Sequence, residues 1–175
     1  MIAEKIKNTV RDIPDFPKPG IMFKDITPLL IDFKLREDII EAFAEKLRPL
    51  KIDALIGVES RGFLFGIALA NRLEIPFVPV RKAGKLPYST HKVSYDLEYG
   101  KAEVEIHSDA IHKGSRVFIH DDLLATGGTA GAAAQLVQKM EAEVAGFGFI
   151  IELSFLKGKE NLLQYSPNII SLATY

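Results

Sequence analysis

The chain contains no cysteine, which excludes disulfides and thiolate metal sites and fits a reducing compartment. It lacks any apolar run near the ~20 residues that span a bilayer. Its first residues, Met1-Ile2-Ala3-Glu4-Lys5-Ile6-Lys7, carry charges every few positions where a signal peptide would be apolar. No charge of one sign dominates: 22 Lys and Arg stand against 23 Asp and Glu, a net charge of −1. That balance offers nothing for general nucleic-acid binding or for an anionic membrane. The four histidines lack the clustered spacing of a metal site, so His107, His112 and His120 read as structural and His91 takes no role. Internal repeats, low-complexity tracts and linkers are missing as well. What is present is ordinary: 175 residues, 47% hydrophobic and 26% charged, enough for one domain with a real core. A soluble, cytoplasmic protein forming a single domain over residues 1–175 is expected.

One stretch organises the rest: Val117-Phe118-Ile119-His120-Asp121-Asp122-Leu123-Leu124-Ala125-Thr126-Gly127-Gly128-Thr129-Ala130. Arg116 to Ile119 is a short apolar run, as expected of a buried parallel strand. Asp121 and Asp122 place two carboxylates where that strand should end, and a helix should open at Ala130. In an open α/β sheet, ligands sit outside the carboxyl ends of strands. Gly127 and Gly128 let backbone amides converge, and the helix adds its positive N-terminal end; together they cradle a phosphate dianion. Ala125 lies in the same bend, and Thr126 and Thr129 can add hydroxyl donors. Asp121 and Asp122 repel a phosphate but, as acceptors, suit the vicinal hydroxyls of a neighbouring polyol. An acidic pair followed by an anion nest spells a ribose 5-phosphate. The bland alternative is a strand-to-helix turn with a capping Thr and a solvated acidic pair. The stretch is not a Walker loop, lacking Gly-Lys-Ser/Thr, nor a G-x-G-x-x-G fingerprint.

The other elements alternate around it. Ile2, Ile6 and Val10 mark an N-terminal helix ending before Pro14, and the prolines of residues 15–20 preclude regular structure there. A helix is expected over 35–47, with Ile39, Ile40, Phe43 and Leu47 on its apolar face. Strands are expected over 53–58, 75–80, 142–153 and 168–173, with a helix over 64–73. This order predicts an α/β fold, a doubly wound and mainly parallel sheet flanked by helices. Arg61 follows the strand at 53–58, as either a surface arginine or an anion ligand. Arg81, Lys82 and Lys85 follow the next strand, as either a solvated basic face or an anion's partners. Residues 92–99 and 102–106 alternate like a hairpin, polar on both sides of its turn. It should be mobile and poorly buried, a flexible lid over about 84–112. Taken alone, Glu98 reads as a cross-strand partner of Lys101, and Phe23 as a core aromatic pinning a loop.

The run Asp121-Asp122-Leu123-Leu124-Ala125-Thr126-Gly127-Gly128-Thr129 resembles the phosphoribosyl-pyrophosphate (PRPP) signature of type I phosphoribosyltransferases, in the form carried by the adenine-specific branch. Four further stretches, in order from about Phe16 to Lys157, resemble the same branch. The resemblance implies a small N-terminal hood over about 13–31, in which Phe23 stacks on adenine. Met22 and Lys24 would offer main-chain contacts to the ring edge, and Leu153 the purine's other face. It assigns ribose to Asp121 and Asp122, and the 5-phosphate to Ala125, Thr126, Gly127, Gly128 and Thr129. Pyrophosphate would fall to Glu59, Ser60 and Arg61 with Arg81, Lys82 and Lys85, the guanidinium fork matching phosphate oxygens. A non-proline cis peptide is implied at Glu59-Ser60. Glu98, in Leu-Glu-Tyr-Gly, matches the catalytic glutamate, whereas Tyr88 to Lys92 matches only at Thr90.

The implied reaction is adenine plus PRPP giving AMP and pyrophosphate. Mg²⁺ would be held through PRPP and water, with no direct protein ligand. A homodimer is implied, with one of the cations Arg81, Lys82 and Lys85, Arg81 foremost, reaching the partner's site. Two rivals stay open: the same scaffold serving hypoxanthine or guanine, and a non-catalytic PRPP-sensing regulator. The Phe23 hood and the Leu-Glu-Tyr-Gly lid oppose the first. The neutral charge and short length oppose the second.

Overall fold

The computed structural model describes residues 1–97 and 100–175; the assigned catalytic residue Glu98, with Tyr99, lies outside the described residues. In chain order the elements are α1 (Ile2–Thr9), β1 (Arg11–Ile13), β2 (Phe23–Asp25), α2 (Thr27–Ile31), α3 (Phe33–Leu47), β3 (Ala54–Val58), α4 (Gly62–Leu73) and β4 (Phe77–Lys82). They continue with β5 (Thr90–Asp96), β6 (Lys101–His107), β7 (Arg116–Leu124), α5 (Gly128–Lys139), β8 (Glu143–Glu152), α6 (Gly158–Leu162) and β9 (Ile169–Thr174). Seven strands form the main sheet in the order β5-β6-β4-β3-β7-β8-β9. From β4 to β9 the neighbours run parallel, and β5 and β6 are antiparallel additions at one edge.

Successive residues of a strand face opposite sides of the sheet, and the central pair β3 and β7 shows this directly. Leu55 and Phe118 are register partners and join the core built with α1, α3 and α4. Ile56 and Ile119, one position on, join the core built with α5. Both faces are therefore covered, which is why β3 reads as an unbroken apolar run and every residue of it is buried. Asp32 caps α3 by accepting from the Leu35 amide at 2.9 Å, a contact worth about 1 kcal/mol. Leu35, Ile39, Ile40, Phe43 and Leu47 then bury their side chains along one face of that helix.

Three features differ from the sequence expectation. β7 runs on to Leu124, through both aspartates, because β8 pairs with it along Asp121–Phe149, Leu123–Ile151 and Leu124–Glu152. Backbone pairing outweighs the poor strand propensity of Asp. The hairpin is not poorly buried throughout: β4 continues into Arg81 and Lys82, which pair with Glu105 and Val104. That pairing leaves Val104, Glu105 and Ile106 only 3%, 1% and 0% exposed, while Asp96, Leu97, Gly100 and Lys101 stay exposed. Finally, the stretch around Phe23 is not a plain loop. β2 pairs antiparallel with β1 as Arg11–Asp25, Asp12–Lys24 and Ile13–Phe23, forming a separate two-stranded sheet.

Candidate active site

The carboxyl ends of β3, β4 and β7 converge on a cavity of about 400 Å³, lined by Glu59, Ser60, Arg61, Lys82, Asp121, Asp122, Leu123 and Thr129. The sequence had placed these residues after three different strands, and the parallel register unites them. A smaller recess of about 80 Å³ adjoins it, walled by Asp121, Ala125, Thr126, Gly127, Gly128 and Thr129. Gly127 adopts φ 84° and precedes α5, whose first intrahelical bond runs from the Gly131 amide to Gly127 O at 2.8 Å. The amides that open a helix have no intrahelical acceptor, so this recess presents donors and positive helix dipole to an anion.

Beneath the recess the chain doubles back. A Cβ on Gly127 would lie 2.9 Å from Gly158 O, and one on Gly158 would fall well inside 3.0 Å of the Ala125 carbonyl. Asn161 Nδ2 donates to Thr126 O at 2.7 Å. Sequence reasoning missed Gly158 and Asn161, which support the bend from α6. No local motif marks them, since their partners lie some thirty residues away.

The acidic pair is asymmetric. Asp122 is 4% exposed and accepts from Arg61 Nε at 2.6 Å, while its amide donates to Asp121 Oδ1 at 2.8 Å. Burial, then the neighbouring charge of Asp122, pushes the Asp121 carboxyl well above its ordinary range. The two carboxyl groups are thus not equivalent. Arg61 also stands over the Phe23 ring, 5.2 Å from its centroid. That contact ties the hood to the cavity, and Phe16 packs edge-on against Phe23 at 5.0 Å.

The remaining assigned residues lie around this centre. Glu59 is fully engaged within the chain: it accepts from Arg81 at 3.2 and 3.3 Å and from the Lys82 amide at 2.8 Å, and its own amide donates to Val80 O. The Arg81 guanidinium is thereby held within the same chain. The Glu59-Ser60 peptide is cis, and so is Phe16-Pro17. Lys85 does not line the cavity; its amide and that of Leu86 donate to Glu105 at 3.0 and 2.8 Å. Met22 is exposed, and β2 has no strand on its second edge among the described residues. The Lys24 side chain turns away to Asp12, at 2.6 Å, and to the Tyr175 ring, leaving main chain as its route to a ligand. Leu153 is half-buried, its amide donating to Leu124 O at 2.9 Å. His120 is wholly buried against Phe43, and burial lowers its pKa to about 4 despite the opposing pull of Asp122.

Comparison with known proteins agrees with this geometry. The phosphoribosyl transferase domain family matches residues 30–162. A curated adenine phosphoribosyltransferase of Cytophaga hutchinsonii is 52% identical over 175 residues, covering 100% of this chain and 97% of that one. The crystal structure of adenine phosphoribosyltransferase from Thermoanaerobacter pseudethanolicus is 51% identical, with a TM-score of 0.95 and 99% of both chains covered. The Saccharomyces cerevisiae enzyme, solved with an imino-altritol bisphosphate and adenine, is 43% identical with a TM-score of 0.92, covering 98% of each chain. Fold, converging strand ends and these likenesses agree, and the chain belongs to the adenine phosphoribosyltransferases of the type I phosphoribosyltransferase family.

Proposed function

We propose that this chain transfers the 5-phosphoribosyl group of PRPP to adenine, giving AMP and pyrophosphate in purine salvage. The observation that carries the reading is the meeting, in one cavity, of an acidic pair, a helix-capped recess and the cations Arg61 and Lys82. In this reading the recess from Ala125 to Thr129 takes the 5-phosphate, and Asp121 and Asp122 take the ribose hydroxyls. The yeast relative was solved with adenine, which supports a purine as acceptor, and in this reading the purine lies under the hood. There Phe23 would stack on one face and Leu153 close the other, with Met22 and Lys24 main chain reading the edge.

Displacement at the anomeric carbon forms the bond to the purine nitrogen and breaks the bond to pyrophosphate. Positive charge develops on the sugar, and the Asp121/Asp122 pair beneath it favours that state. Ser60, Arg61 and Lys82 balance the departing pyrophosphate, and Glu59 contributes by fixing Arg81 and the Lys82 main chain. Glu98 accepts the purine proton, a role worth about 10²–10⁴-fold. Among the described residues no three His, Cys, Asp or Glu side chains are grouped to hold a metal, and Asp122 and Glu59 already face arginines. Mg²⁺ would be carried on PRPP oxygens and water, since the ion keeps several waters and takes few carboxylates. When bound, the ion would neutralise charge on the leaving group.

A single domain over 1–175, a cytoplasmic location and a homodimer belong to the same reading. Leu64 and Ile67 on the outer face of α4, 47% and 54% exposed, are apolar surface that a second copy would cover. No helix among the described residues is long and apolar enough to cross a membrane. The test is a steady-state assay of adenine, hypoxanthine and guanine with PRPP and Mg²⁺. Adenine should be strongly preferred; equal activity on hypoxanthine would remove the base assignment, and no activity on any base would leave a PRPP sensor.

A further inference from the structure

Tyr95 stands on β5, in the hairpin, yet its hydroxyl lies 3.1 Å from Thr129 Oγ1 in the first turn of α5. Its ring covers Gly128 so closely that a Cβ there would meet Cδ2 at 3.4 Å. The strand is held to the same helix a second time, by Lys139 Nζ donating to Lys92 O at 2.8 Å. Ser94, Tyr95 and Asp96 share a cavity of about 440 Å³ with Thr126, Gly127 and Gly128. The hairpin is therefore docked on the phosphate recess as well as on the sheet edge.

The geometry points to Tyr95 as a positioning residue that sets the Thr129 hydroxyl for the 5-phosphate and registers phosphate occupancy in β5. This rests on the phosphate assignment made above. A threonine hydroxyl has one proton to give. A phosphate dianion only accepts, so once Thr129 donates to it, the Tyr95–Thr129 bond has one direction: Tyr95 donates. The phenol is the more acidic hydroxyl, and donation to Thr129 polarises that group toward the anion. With the recess empty, Thr129 is free to donate to Tyr95 instead, so phosphate binding selects one of two hydrogen-bond arrangements. β5 ends at Asp96, two residues before Glu98. The phosphate and the base that meets the purine thus share one short run of chain.

Tyr95→Phe removes one oxygen and keeps the ring over Gly128. It should weaken ribose 5-phosphate binding and raise the KM for PRPP about fivefold, the worth of one neutral hydrogen bond, with adenine affinity changed less than twofold. In a Thr129→Val background, Tyr95→Phe should have no further effect on ribose 5-phosphate binding, whereas in Thr129→Ser it should keep its full effect. Equal effects of Tyr95→Phe with and without the Thr129 hydroxyl would overturn the inference. So would unchanged ribose 5-phosphate binding in Tyr95→Phe when Thr129→Val weakens it, a result that leaves the recess assignment standing. If Thr129→Val itself binds ribose 5-phosphate normally, the recess assignment fails and the inference with it. Should Tyr95→Phe fold poorly, 3-fluorotyrosine at position 95 keeps the hydroxyl as a stronger donor and should tighten binding; unchanged or weaker binding overturns the inference.

Discussion

Gly158→Ala sets two energetic terms against each other. Gly158 is the first residue of α6, and alanine in a helix is favoured over glycine by about 1 kcal/mol. Against this, the new Cβ would meet Leu124 Cδ1 at 2.8 Å and the Ala125 carbonyl closer still, inside the 3.0 Å that real Cβ atoms respect. Leucine can rotate away, but a backbone carbonyl must retreat with its chain by a large fraction of an ångström. Overpacking of this kind costs typically 1–3 kcal/mol, and a clash with main chain belongs at the upper end, so about 2 kcal/mol of net destabilisation remains. For a domain of this size that is a fall in Tm of about 4–8 °C. Because the displaced carbonyl belongs to the first residue of the bend proposed to hold the 5-phosphate, the KM for PRPP should rise at least about tenfold, while adenine affinity changes less than twofold. Calorimetry and steady-state kinetics with each substrate varied provide the measurement. A variant that melts higher than the parent and keeps its KM for PRPP would refute the packing argument, showing that α6 yields without disturbing the bend.

Three further outcomes follow from the same geometry. Asp121→Asn should stabilise the fold while impairing turnover, since the raised carboxyl pKa contributes stability below the unfolded value, ~3.9, that is lost as pH rises through the folded one. Denaturation midpoints should show the variant's advantage growing from acid toward neutral pH; a constant difference would remove the linkage. Glu105 behaves oppositely: burial raises its pKa, but donations from the Leu86, Gly84 and Lys85 amides and from Thr90 outweigh that and hold it below the ordinary range. Its contribution is present above ~4.3 and lost as pH falls through the folded value, so Glu105→Gln should flatten the acid limb of stability; an unaltered limb places that sensitivity elsewhere. Glu98→Ala should lower kcat with PRPP affinity little changed, by rapid kinetics and equilibrium binding. A variant retaining full kcat would take Glu98 out of the mechanism.

The covalent order of residues was enough to read the sheet and the two-sided burial of its central strands. Val117–Ile119 is apolar on both faces because both faces are covered, and Gly127-Gly128 makes the bend that opens α5 by backbone geometry alone. These are local properties, and local properties are legible in a string. What only the tertiary structure decided is non-local. Asp121 and Asp122 remain in a strand because β8 pairs with them, and their unequal character arises from burial and from Arg61, sixty-one residues away. Glu105, which looked like one more polar position in a lid, became a buried anchor because Arg81 and Lys82 extend β4 alongside it. Tyr95 did carry a faint signal: Val93 and Tyr95 alternate with exposed Ser94 and Asp96, so one face of the strand had to pack against something. That its partner is the phosphate bend depends on where α5 and the sheet edge come together, and pattern along the chain does not encode distances between segments.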